Sequence, residues 1–89
     1  MKEVTLSDGF ALQVDEAALD NMELLDAMSD LTEEENPLAL SRVVRLLLGN
    51  EEKKRLYAHV RENGRVSTEK VSAAAMQILT SLGQQAKNS

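Results

Sequence analysis

The chain carries one histidine, His59, and no cysteine. Nucleophilic catalysis joins a Ser, Thr or Cys to a base and an oriented third group. His59 stands between Leu56 and Val60 in a stretch of helical spacing, and no such set surrounds it. It reads as a helix-surface or packing residue. Carboxylates are numerous but spread along a helix face. Glycosidase-type chemistry needs two of them across a cleft in unlike environments, and 89 residues leave little room for that cleft. Thr32 to Asn36 is rich in oxygen ligands but lacks the order and terminal Glu of a calcium loop. Gly9, Gly49, Gly64 and Gly83 are isolated, so neither glycine-rich phosphate motif is present. Without cysteine there is no disulfide and no thiolate–metal site. The expectation is a protein that is not an enzyme and holds neither metal nor cofactor.

Binding is the remaining class. The net charge of −5 conceals a split. Residues 1–36 hold one Lys and eleven Asp or Glu, whereas residues 37–89 hold nine Lys or Arg and four Glu. Such halves can attract within a chain, between chains, or toward a complementary partner. Phe10 and Tyr57 are the only aromatic residues, so stacking platforms for single-stranded nucleic acid are missing. A helix-turn-helix over 51–63 and 68–82 would place Thr68 to Ala74 in the major groove. That segment has one basic residue and one acid, too little to neutralise phosphates. A small DNA-binding regulator built on those helices is therefore the second reading, and nucleic-acid binding is not expected. No apolar run approaches the ~20 residues of a membrane span. Met1-Lys2-Glu3-Val4 does not resemble the start of a secretory signal. The expected location is the cytoplasm.

The elements that must present these surfaces follow from spacing. Val4-Thr5-Leu6 and the alternating Phe10, Leu12 and Val14 flank the turn dipeptide Asp8-Gly9 and predict a β-hairpin over about 3–14. Asp15 can cap a helix over about 16–30, with Leu19, Met22, Leu25 and Met28 as its apolar stripe, widened by Ala18 and Leu24, and Asp20, Glu23, Asp26 and Asp30 on its acidic back. Asn36-Pro37 starts a second helix to Leu48, apolar on most sides and placed at the centre. Gly49-Asn50 stops it and opens a third over 51–63, where Glu51 can pair with Arg55. Asn63-Gly64 closes the third helix, and Ser67 caps a fourth over 68–82. Residues 84–89 read as a flexible polar tail. The predicted fold is mainly α (α+β): one domain over 1–83, an N-terminal hairpin packed on about four helices.

The order of these features carries a resemblance. Val14 to Leu25, Glu35-Asn36-Pro37-Leu38, Leu46 to Gly49, Lys53 to Tyr57 and Gly64-Arg65-Val66 resemble the small tail assembly chaperones of long-tailed phages and prophages of Gram-positive bacteria. The resemblance spans about residues 10–80 and holds no motif diagnostic of chemistry. It implies a helical protein of the host cytoplasm that binds the tape measure protein during tail morphogenesis. Recruitment of tail tube protein and self-association are also implied. A third reading is a minor structural virion protein. The expected partner-binding residues are Asp20, Glu23 and Asp26 on the first helix, with Lys53, Lys54 and Arg55 at the start of the third. Met22, Met28 and Met76 suit an adaptable apolar contact or simple core filling.

Overall fold

The computed structural model of the chain describes residues 1–88, with side chains as far as residue 83. Strands β1 (Lys2–Thr5) and β2 (Ala11–Val14) pair antiparallel with Val4 opposite Leu12. At their turn the Leu6 N–H donates to the Phe10 carbonyl at 2.8 Å, and Gly9 supplies the positive φ of 94°. The alternation works as expected: Val4, Leu12 and Val14 are buried, and Gln13 faces out.

A single 3-10 turn (Glu16–Leu19) follows, capped by the Asp15 carboxylate, which accepts from the Ala17 N–H at 2.9 Å. The chain then breaks. Helix α1 (Met22–Thr32) begins afresh with Asn21 as its N-cap, accepting from the Glu23 N–H at 3.0 Å. This restart corrects part of the expected stripe: Ala18 and Leu24 are buried and Leu19 and Met28 pack on the core as expected, but Met22 and Leu25 do not. Leu24 and Ala27 are the buried residues of α1, while Met22 and Leu25 are 68% and 45% exposed. A strict three-residue repeat drifts around a helix by about 60° per step, so it cannot stay on one face. Leu24, Ala27 and Leu31 keep the i, i+3, i+7 spacing that does.

The Asn36 side chain accepts from the Leu38 N–H at 3.1 Å in the turn before α2 (Ala39–Val60), which starts two residues after the expected Pro37 and has no side-chain cap of its own. The helix is bent at Gly49, whose φ of 80° and ψ of 171° lie outside helical space. The fold is therefore mostly helical with an N-terminal hairpin, but it has three α-helices and not about four. The two expected central helices are the two arms of this element, and helical geometry breaks between them at Gly49, where a stop was expected. Val43, Val44 and Leu47 of the first arm and Leu56 and Val60 of the second all enter the core.

The second arm ends at Val60, three residues before the expected end. Arg61–Glu62 (β3) and Arg65–Val66 (β4) form a second antiparallel pair. Asn63 and Gly64 join them with φ of 55° and 79°, the positive values a two-residue type I′ turn requires. Helix α3 (Thr68–Asn88) is capped by Ser67, whose hydroxyl accepts from the Lys70 N–H at 3.2 Å. Val71, Ala74, Ala75, Ile78 and Leu82 bury its inner face. The backbone stays helical to Asn88; the side chains of the expected tail and Ser89 lie outside the described residues. Among the described residues no side chain in the core is polar, and no helix is long and apolar enough to cross a membrane.

Candidate functional site

The densest meeting of polar and aromatic groups joins the first hairpin to the second arm of α2. Nε2 of His59 lies 2.7 Å from Oδ2 of Asp8, and the His59 ring stacks on Phe10 at 4.0 Å and 5°. The Arg55 guanidinium sits 5.2 Å from the Phe10 ring centre and donates to the Ala11 carbonyl at 3.3 Å. Glu52 accepts the Gln13 N–H at 2.6 Å and pairs with Arg55 at 2.9 Å. The hydrogen bonds with His59 and with the Phe10 N–H hold the Asp8 carboxyl below its ordinary value. The Gln13 N–H, ahead of Arg55, does the same for Glu52.

Chemically this is a clasp. The one ring nitrogen of His59 that meets a partner meets a carboxylate, and among the described residues no hydroxyl is hydrogen-bonded to the ring. A nucleophile–base pair needs that contact. Ser7 lines the same depression as Asp8 and His59, and its backbone N–H donates to the Gln77 side chain at 2.8 Å, tying the hairpin turn to α3. Among the described residues no three His, Asp or Glu side chains converge as metal ligands would.

The expected partner-binding residues fall into two groups. Asp20, Glu23 and Asp26 are all exposed, and none forms an ion pair among the described residues. They flank the exposed Met22 and Leu25, so this side of the molecule is both acidic and apolar. The basic triplet does not act as a unit. Lys53 lies over the Tyr57 ring at 5.8 Å, and Lys54 is exposed. Arg55 belongs to the clasp and stays half exposed. Its partner is Glu52 rather than the expected Glu51, because the half-buried Glu52 is already fixed by the Gln13 N–H.

A second feature was not singled out by sequence. Pro37, Leu38, Leu40, Tyr57, Val66 and Val71 line an apolar groove of about 270 Å³ between the start of α2, its second arm, β4 and the start of α3. Leu38 stands at its edge, 83% exposed. The available signal was Leu38 itself, an apolar residue outside every stripe. The fold-back at Gly49 that brings Leu40 and Tyr57 together could not be read from spacing.

No family model matches the chain, and neither a curated protein nor a solved structure matches it.

Proposed function

We propose that the chain is a non-enzymatic tail assembly chaperone of a phage or prophage. It binds the tape measure protein in the host cytoplasm during tail morphogenesis, and it helps recruit tail tube protein. The observation that carries this reading is the exposure of large apolar side chains on α1, on α3 and in the turn before α2. Met22, Leu38 and Met76 are 68%, 83% and 59% exposed. Exposed apolar residues flanked by charge suit a surface that receives amphipathic helices. Methionine adapts to varied partners, as a protein coating a long helical chain requires. The resemblance over residues 10–80 supplies the identity of the partner, and the surface supplies the means. Asp20, Glu23 and Asp26 make the acidic side of the contact, with Lys53 and Lys54 at the other end of the molecule's charge split. That split also offers a route to self-association.

The test is co-expression of the chain with a tape measure protein from the same tail module. The chaperone reading expects the tape measure protein to become soluble and to co-purify with the chain. It also expects the chain to be missing from finished particles by mass spectrometry. A tape measure protein equally soluble alone, or the chain as a stoichiometric particle component, contradicts it.

A further inference from the structure

We infer that the outer face of α1, centred on Met22 and Leu25, docks a basic amphipathic helix of a partner protein. This inference rests on the partner-binding reading and names the chemistry the partner must carry at that contact.

The turn of the helix defines the face. Leu24, Ala27 and Leu31 are directed at the core. At about 100° per residue, Met22, Asp26 and Ser29 fall on the opposite side, with Leu25 beside them. All four are exposed. Met22 and Leu25 stand three residues apart and are therefore neighbours on that surface. α1 packs against α2 and the 3-10 turn through its other side, which leaves this face unpartnered.

The charge around the face has one sign. Asp20 and Glu23 flank Met22, and Asp26 stands one turn beyond it. Between Lys2 and Arg42 the chain contains no Lys or Arg. Cations must come from neighbouring elements, and they are placed elsewhere or already paired. α2 brings Arg42 and Arg45 to the far end of α1, where Arg42 pairs with Asp30 at 2.7 Å and Arg45 lines the same depression. Lys2 lies across the hairpin from Val14, next to the carboxylates Asp15 and Glu16. Lys70 of α3 is held by Glu62 at 2.6 Å. Asp20, Glu23 and Asp26 form no ion pair among the described residues. The start of α1 therefore keeps an acidic excess around an apolar centre.

That combination selects the occupant. A nucleic acid or an anionic lipid surface meets repulsion from the three carboxylates. A convex helix face does not enclose a small molecule, and its backbone groups are already bonded within the helix, so an added strand gains nothing there. A helix with Leu or Met on one side and Lys or Arg flanking them covers Met22 and Leu25 and satisfies the carboxylates together. A second copy of the chain offers a poorer match. Its Lys53 and Lys54 stand beside Glu51, and among the described residues no large apolar side chain is exposed on that arm of α2.

The experiment uses the full, isotope-labelled chain and three synthetic peptides of about 18 residues, five helical turns. One carries Leu on one face and Lys on the other. The second has Glu in place of Lys, and the third is the Lys peptide with its sequence scrambled. The amides of Met22, Glu23, Leu25, Asp26 and Ser29 should shift with the Lys peptide and with neither of the others. Met22→Ser with Leu25→Ser should weaken that binding about tenfold or more, the worth of the lost apolar contact. Both side chains are too exposed for their loss to unfold the domain. Asp20→Asn with Asp26→Asn should weaken it as well and flatten its dependence on salt. Amides of α1 that stay unmoved at about 1 mM Lys peptide overturn the inference. So does an equal response to the scrambled peptide, which would mark attraction by charge alone. Shifts of the same amides on concentrating the chain without peptide would assign the face to a second copy and overturn it too. Failure here is separable from failure of the chaperone reading. If the Met22→Ser, Leu25→Ser chain co-purifies with tape measure protein as wild type does, the face falls and the chaperone stands. If the Lys peptide docks on α1 but no tape measure protein co-purifies, the reverse holds.

Discussion

Leu40 and Tyr57 line the same groove although both belong to α2 and stand seventeen residues apart. On a straight helix they would be separated by about 26 Å. Gly49 removes that distance. Its backbone occupies a region that is essentially reserved for glycine. The bend folds one arm of α2 back toward the other and gives both arms a share of the core.

Gly49→Ala should therefore destabilise the domain by about 1–3 kcal/mol. An added Cβ meets no atom within 4 Å, so the cost is backbone strain and not collision. For a domain this size the midpoint of thermal unfolding should fall by about 4 °C or more. An unchanged midpoint would show that the bend tolerates side chains.

Glu52 joins the hairpin to α2 by accepting from the Gln13 N–H and from Arg55. Glu52→Ala should cost about 1–3 kcal/mol, the range for a hydrogen bond to a charged group. Amide hydrogen exchange should rise at Gln13 and its strand neighbours while the inner face of α3 stays protected. Uniform exchange across the whole chain would contradict a local clasp.

Acid should loosen the same junction. Asp8 and Glu52 have folded values below the ordinary 3.8 and 4.5. In that window the unfolded chain binds more protons than the folded one, so stability rises with pH. The contribution is present above the ordinary values and is lost as pH falls through the folded ones. His59→Phe keeps an aromatic ring against Phe10 but removes the hydrogen bond to Asp8. The Asp8 carboxyl should then titrate closer to its ordinary value by NMR, with Glu52 unchanged. An unmoved Asp8 would assign its shift to the Phe10 N–H alone.

Local chemistry was legible where one residue decides an outcome. Asp15 and Ser67 cap as their side chains imply, Asn36 holds the turn before α2, and Leu12 and Val14 point inward as alternation requires. What was lost depended on distant packing or on competing local signals. Asn21 capped a new helix where Asp15 already offered one, and the register of α1 shifted with it. Asn63-Gly64 carried a hairpin signal but was read as a helix stop, since β3 and β4 have two residues each. Of the expected binding residues, Asp20, Glu23 and Asp26 are presented together on the surface. Arg55 stays half exposed but is held by Phe10 and Ala11, partners far along the chain that no spacing rule names, and by Glu52 three residues before it, a pairing that helical spacing allows.

Reversing Asp20, Glu23 and Asp26 to Lys should leave the domain folded at a cost of about 1–2 kcal/mol, because all three are exposed and unpaired among the described residues while Glu23 lies in the first turn of α1, where a cation opposes the helix dipole. The same variant should lose tape measure protein in co-purification. Retained binding would remove the acidic side of α1 from the interface. Random duplex DNA should not be retarded by the wild-type chain at low salt. Clear retardation that weakens with added salt would favour the DNA-binding regulator.

The central claim is that the chain acts by holding a helical tail protein, and the most direct measurement is the soluble yield of a tape measure protein from its own tail module with and without the chain. The expected result is a tape measure protein that aggregates alone, is soluble with the chain, and elutes with it as one complex. Equal solubility in both conditions, with the two proteins eluting separately, would contradict it.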